Sequence, residues 1–477
     1  CLPTCFMQNG ETIVTTYYTQ RHPEKSVLHK VITKNMNTVF LKMEEKGRYL
    51  PKYVREEFES FIDCGIFAKG FLRLSCESCH RDKLVAFSCK RRGLCPSCGG
   101  RRMSDAAAHL VDNVFPIVPV RQWVLSFPYN LRYLFSYNKK ALTKALEVVM
   151  RVINRFYINR GKLRGDTKNR TGSVTLIQRF GGSLNLNVHF HILSIDGVFD
   201  EEGMFKDALA PSNDEIVSLV NKIKQRVFRA MERGGWIDHY QVNEEDELGL
   251  EYPGLAESYS SSILRKNNQG KRVECLGKRG ESRWVPFAGD LCSYVDGFSL
   301  HAKVRINAID RKGLEHLCRY VARPAIANHR LKMDEEGRVV YQLKKAYQNG
   351  TTHLRFTQEE FVEKLIALVP TPRMNLIRYH GVLGANSKLR KKVVKKNKNK
   401  EKLAEKSPKV YRLSWSKLLK RVFDFEIETC VCGGKLRILS AIIDIETTTK
   451  IMNSLQMEIY QPMVSPARAP PRFELSF

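Results

Sequence analysis

Apolar residues recur along this chain in two rhythms, one of three to four residues and one of two. Over 51–63, Val54, Phe58, Phe61 and Ile62 stand at helical spacing, and Met103–Val114 continues the same rhythm. A longer amphipathic stretch runs from about Lys140 to Asn159, with Leu142, Leu146, Val149, Val152, Ile153 and Phe156 on one stripe and Gly161 as its stop. Asn213–Glu232, Lys312–Arg323 (stopped by Pro324) and Gln358–Leu368 read as further helices. The two-residue rhythm appears in Arg121–Phe127, Ser173–Phe180, Leu186–Ile195 and Phe298–Ile309. Gly181-Gly182-Ser183 predicts that the second and third of these form an antiparallel hairpin. Asn349-Gly350 predicts another, between Val339–Tyr347 and Thr352–Phe356. Residues 236–290 are polar and irregular and read as an insertion. Antiparallel strands interleaved with covering helices predict an α+β protein.

Bulk properties narrow the partner. The chain has 477 residues, enough for two or three domains, and a net charge of +29. So large an excess favours a polyanion, and nucleic acid before an acidic membrane surface. No run of apolar residues is long enough to span a bilayer, and no signal peptide opens the chain. The chain begins at cysteine, as a truncated start would. Thirteen cysteines with no secretory signal argue for metal binding in a reducing, cytoplasmic setting. Lys388–Lys409 is lysine-dense and reads as a solvated basic linker that can follow phosphates.

Cys76-x2-Cys79 and Cys95-x2-Cys98 have the spacing of one four-thiolate Zn²⁺ site. Cys64, His80, Cys89 and His109 are left over; they offer a second zinc site, with Cys64 and Cys89 as its candidate ligands, and satisfied core cysteines and histidines are the alternative. Lys90, Arg91, Arg92, Arg101 and Arg102 flank the second knuckle, so the module reads as DNA-holding, with a protein–protein module as the alternative.

The strand Asn-Val-His-Phe-His-Ile-Leu sets His189 and His191 on one face, with Val188, Phe190 and Ile192 packing behind. Two imidazoles on a core-backed strand suit a divalent cation, Mg²⁺ or Mn²⁺, and two ligands leave that ion short. Gln178, opposite His189 in the hairpin, and His316, one helical turn before Tyr320, are candidates for the third. A hydrogen-bonded strand glutamine and a surface histidine are the bland alternatives. His301 reads as a satisfied core histidine. Tyr320 on the later helix is the candidate nucleophile, and Arg319 and Arg323 candidate phosphate or DNA contacts.

Together these stretches resemble the insertion sequence 91 family of rolling-circle transposases, which use a histidine–hydrophobe–histidine (HUH) nuclease core. CGIFAKGFLRLSCESCH with AFSCKRRGLCPSC resembles its N-terminal zinc domain, VPVRQWVLSFP the opening of its catalytic domain, and SLNLNVHFHILSIDGVF its HUH segment. GFSLHAKV, LCRYVARP, VPTPRMNLIRYHGVL and CGGKLRIL resemble its tyrosine region and C-terminal portion. Two departures stand out. Many members carry Tyr-x-x-x-Tyr where this chain has His316 and Tyr320, which resembles the single-tyrosine branch. Cys430-Val-Cys432 has one intervening residue where a knuckle normally has two, which argues against a complete C-terminal zinc site.

The resemblance implies an N-terminal extension over 1–50, a zinc-binding DNA-binding domain over 51–115 and a HUH catalytic domain over 116–387. A basic linker over 388–412 and a small tail over 413–477 follow. It implies metal-dependent transesterification of single-stranded DNA at transposon ends and target, through a 5′-phosphotyrosine, in the nucleoid-associated cytoplasm of a bacterium. No helicase P-loop occurs in the chain, so unwinding would fall to a host helicase. A replication initiator or relaxase with the same core, or a non-catalytic zinc-dependent DNA-binding protein, are the other readings.

Overall fold

The computed structural model describes residues 21–162, 169–238, 247–267, 270–277, 289–347, 349–394 and 428–467, with short backbone stretches at 6–8, 11–13, 16–17, 241–242 and 425–426 and residue 417. It is α+β, and its sheets are antiparallel throughout the parts that carry the site. Among the described residues no helix is long and apolar enough to cross a membrane.

The chain's first well-defined element lies inside the segment read as an extension. Helix α1 (Val27–Glu45) starts at Ser26, whose side chain accepts from the His29 N–H, and buries Leu28, Val31, Ile32, Met36, Val39, Phe40 and Met43. Helix α2 (Lys52–Ile62) packs on it, Phe40 and Phe58 meeting edge to face at 5.4 Å. Strands β1 (Phe71–Cys76) and β2 (Asp82–Ala86) form a hairpin, and α3 (Pro96–Asn113) begins with Cys95 as N-cap and Pro96 in the first turn.

The large sheet is built from β3 (Val120–Ser126), β4 (Gly172–Phe180) and β5 (Leu186–Ile195), joined through α4 (Tyr129–Tyr137) and α5 (Lys139–Lys162). After α6 (Asn213–Arg233), capped by a Ser212–Glu215 capping box, come α7 (Pro253–Ile263) and β6 (Glu274–Gly277). β7 (Cys292–Val295), β8 (Phe298–His301), β9 (Arg305–Ile306) and α8 (Arg311–Ala322) follow. The chain then forms β10 (Leu331–Met333), β11 (Val339–Gln342), β12 (Thr351–Phe356), α9 (Gln358–Ile366) and β13 (Ile377–Gly381). The sheet order is β7-β8-β3-β5-β4-β13, with β9 also pairing β3. The histidine strand β5 is therefore central, held on both sides. Its Val188, Phe190 and Ile192 face a core with α4, α5 and α6, Phe190 lying 4.9 Å from Phe127. On its other face α3 and α8 pack over Val174, Leu176, Leu193 and Ile195.

Two expectations change. The segment 236–290 is not merely inserted: Leu255, Tyr259 and Ile263 of α7 join the core of α1, α2 and α9, and β6 edges the sheet β6-β12-β11-β10. The strand expected over Phe298–Ile309 is two short ones, β8 and β9, each pairing a different part of β3. Lastly, β14 (Leu436–Ile442) returns to pair β1, and α10 (Ile445–Ser454) packs beneath it.

Candidate active site

The hairpin register is the one the sequence predicts: His189 lies opposite Gln178 on β4 and Ser126 on β3, and His191 opposite Leu176 and Val124. Both histidines are buried, and their Nε2 atoms stand 3.1 Å apart. Two ligands at right angles around a metal about 2.1 Å away would be separated by roughly 3 Å, so the pair fits adjacent corners of an octahedron. Nδ1 of His189 donates to the Asn187 carbonyl at 2.8 Å, which leaves the Nε2 lone pair facing its neighbour. Nδ1 of His191 meets the Gln122 side-chain amide at 2.8 Å. With the amide oxygen turned toward it, Gln122 accepts that proton and His191 too presents a bare Nε2. Burial lowers both pKa values, His189 to about 4 and His191 well below its usual value, so both rings are neutral and able to ligate.

Tyr320 projects from the last turn of α8, its ring 6.3 Å from that of His191 and nearly perpendicular. It is 38% exposed, open to a substrate. Arg323 stands 4.6 Å from the ring centroid and the Lys344 ammonium 4.2 Å. Partial burial pushes the phenol pKa up, but a hydrogen bond from Arg323 and the charges of Arg323, Lys344 and Lys345 outweigh it, and the net shift is downward. Nε of Arg319 and Nη1 of Arg323 are buried without a hydrogen-bond partner, donors poised for an anion. Lys344 and Gln122 went unnoticed in the sequence. Gln122 carries a signal, since it shares its strand face with the histidines once β3 is paired to β5.

The third-ligand candidates separate. Gln178 is buried, directly across from His189, and its Nε2 donates to the Val321 carbonyl at 3.3 Å, leaving Oε1 as its possible ligand atom. His316 is exposed and makes no hydrogen bond or ring contact with either histidine. His301, at the end of β8 between Cys292 of β7 and Val124 of β3, is partly buried and not a fully buried core histidine.

The four cysteines expected in one site do not meet. Cys95 and Cys98, at the start of α3, converge on Cys64 and Cys89 instead: Cys64 lies 3.5 Å from Cys95 and 3.7 Å from Cys98, and Cys89 lies 3.5 Å from Cys98. Thiolates around a zinc ion at about 2.3 Å would be roughly 3.8 Å apart, so this set suits zinc. Cys76 and Cys79 sit at the turn between β1 and β2 and face Cys430 and Cys432. The reason is topological. Cys64 follows α2 and Cys89 follows β2, so the chain enters the Cys95 knuckle from both, while the β1–β2 turn points to the other end of the hairpin. His80 and His109 belong to neither group.

The basic residues beside the Cys95 knuckle divide. Lys90, Arg92, Arg101 and Arg102 are exposed. Arg91 is partly committed, to Ser60 at 3.1 Å and to Glu56 at 3.5 Å, and Arg92 donates to the Met374 carbonyl at 2.9 Å. A cleft of ≈ 430 Å³ runs between α3 and the ends of β4 and α8, with Arg92, Arg102, Gln178, Arg323 and Tyr379 in its walls. Arg92 and Arg102 line it from the zinc module and Gln178 and Arg323 from beside the histidine–tyrosine pair, while His189, His191 and Tyr320 themselves lie outside its walls.

Comparison with known proteins bears on the chain's family. Residues 172–391, which carry both histidines and Tyr320, match a family model described as a putative transposase. Residues 32–127, which carry all four cysteines of the first set, match a transposase zinc-binding domain, whose start inside α1 accords with that helix's place in the core. Over 335 residues the chain is 24% identical to the transposase for insertion sequence element IS801 of Pseudomonas savastanoi pv. phaseolicola, covering 69% of this chain and 70% of that protein. No solved structure matches. A transposase zinc-binding domain, a transposase core and a transposase relative covering 69% of the chain place it in the insertion sequence 91 family of transposases.

Proposed function

We propose that this transposase cuts and rejoins single-stranded DNA by transesterification through Tyr320, in rolling-circle transposition. The observation that carries the reading is the placement of Tyr320 against His191 under two cations, one of which, Arg323, keeps a buried unpartnered donor. The Tyr320 oxygen attacks the scissile phosphorus, forming an O–P bond, while the bond to the 3′-oxygen breaks. The phenolic proton passes to solvent and the departing oxygen takes one up. A 5′-phosphotyrosine and a 3′-hydroxyl result. A later 3′-hydroxyl reverses the step, so the bond is conserved and no hydrolysis is needed.

Arg323 and Lys344 favour the phenolate, and Arg323 and Arg319 hold the phosphate as charge builds on it. His189 and His191 would hold Mg²⁺ or Mn²⁺, with Gln178 as the fitting third ligand; such an ion polarises the scissile phosphate. The exposed residues Lys90, Arg92, Arg101 and Arg102 would bind the strand as it crosses from the zinc module, where Cys64, Cys89, Cys95 and Cys98 hold a structural zinc. Strand separation would come from a host helicase.

The reading is tested by incubating the chain with circular single-stranded DNA and Mn²⁺ and looking for an SDS-resistant protein–DNA adduct. Salt-sensitive binding without any adduct would favour the non-catalytic DNA-binding reading.

A further inference from the structure

We propose that Cys76, Cys79, Cys430 and Cys432 bind a second zinc ion, shared between the two ends of the chain, and that this ion fastens the C-terminal tail to the N-terminal module. Cys76 and Cys432 have their sulfurs 3.4 Å apart, Cys79 and Cys430 theirs 3.6 Å apart, and all four lie within 4.8 Å of one another. These separations are near the edge of a zinc thiolate tetrahedron, about 3.8 Å, and far from the roughly 2.05 Å of a disulfide.

The short Cys430-Val-Cys432 spacing is accommodated by the two glycines after it. Gly433 adopts a φ of +86°, and a Cβ on Gly434 would lie 2.5 Å from the Ser78 hydroxyl and 2.6 Å from the Cys76 sulfur. The turn closes through Gly433 N–H to the Cys430 carbonyl at 2.9 Å and Cys430 N–H to the Gly434 carbonyl at 2.7 Å. Each knuckle also turns a backbone N–H toward a sulfur: Cys79 toward Cys76 at 3.5 Å, and Gly434 toward Cys432 at 3.4 Å. β14 then pairs β1 from Leu436 opposite Cys76 to Ile442 opposite Phe71, so strand register and sulfur convergence agree.

A second, independent observation points to a metal. Among the described residues, the apolar core beneath this three-stranded sheet has four buried members, Phe67, Phe71, Leu84 and Met452, and Ile438 and Leu439 of β14 are more than half exposed. So thin a core does not hold a strand by burial alone, and small modules of this kind are stapled by metal or disulfide. The two sites also differ in access. Of the first set Cys64, Cys95 and Cys98 are buried and Cys89 partly so, whereas in the second Cys76 is buried, Cys79 and Cys430 are partly exposed and Cys432 is exposed. The second ion is therefore the one that chelators and oxidants reach first.

The test is metal content of the full chain, purified under reducing conditions, measured by mass spectrometry for the wild type and for Cys430→Ser/Cys432→Ser. The expected result is two zinc ions per chain falling to one, and a cobalt-substituted thiolate band that falls by half. Wild-type protein treated with a chelator should lose its metal in two phases of equal amplitude, a readout that needs no mutation. One ion in the wild type, two ions retained in the double variant, or four of these thiols found as disulfides would each overturn the proposal.

Discussion

Replacing Gln122 with methionine removes a polar side chain from a strand that carries neither the proposed metal ligands nor the nucleophile, yet it should weaken divalent metal binding. In the metal-free protein the protons can run in one line. The Gln122 amide donates to Nδ1 of His191, Nε2 of His191 to Nε2 of His189, and Nδ1 of His189 to the Asn187 carbonyl. A metal needs both Nε2 lone pairs, so His191 must move its proton to Nδ1 and Gln122 must turn its oxygen to receive it. Gln122 and His191 are 4% and 5% exposed, so no water replaces that acceptor in the variant. Leaving a buried N–H unsatisfied costs about 1–3 kcal/mol, which as a metal affinity is roughly 5- to 150-fold. Methionine has nearly the same volume, so the fold should survive. The assay is adduct formation titrated with Mn²⁺: the midpoint should rise by about that factor while the yield at saturation is largely kept. A folded variant with an unchanged midpoint would refute the argument.

Three further outcomes follow from the same geometry. Lys344→Gln removes a cation that holds the Tyr320 phenol pKa down, so the rise of adduct rate with pH should move to higher pH, with little change in DNA affinity; a shift to lower pH, or none, would contradict it. Lys364 is buried in α9, and desolvation lowers its pKa to about 8 from 10.5, so below pH 8 the fold carries the cost of its charge. Lys364→Met should stabilise the protein by about 1–3 kcal/mol at pH 7, an advantage that fades as pH rises from 8 to 10.5, read by denaturant unfolding across that range. Cys64→Ser should release one zinc ion and loosen the core around α1 and α2, lowering the melting temperature by about 10 °C or more.

What the chain discloses about itself divides along a physical line. The histidine hairpin was readable because strand alternation and a glycine turn are local, and together they set His189 opposite Gln178. Tyr320 was readable as a helix residue close to a proline stop, and so was Arg323 just after it, but its second cation was not, since Lys344 comes from beyond β11 and reaches the ring only through tertiary packing. The cysteine pairing failed for the same reason. Spacing identifies knuckles that offer two sulfurs each, and it does not say which knuckles meet. Cys64 and Cys430 are distant in sequence from the partners they find. Helix α1 is a different case. Its Leu28, Val31, Ile32, Met36, Val39 and Phe40 show the helical rhythm plainly, and reading 1–50 as an extension overlooked them. In α7 the buried Leu255, Tyr259 and Ile263 are diluted by serines and flanked by polar sequence, so periodicity there was faint.

The most direct test of the account compares wild type with Tyr320→Phe on circular single-stranded DNA with Mn²⁺, followed by denaturing gel and mapping of the labelled peptide. The account predicts an SDS-resistant adduct that needs the metal, maps to Tyr320 and vanishes in the phenylalanine variant while DNA binding is kept. An adduct that persists in Tyr320→Phe, or maps to another residue, would contradict it.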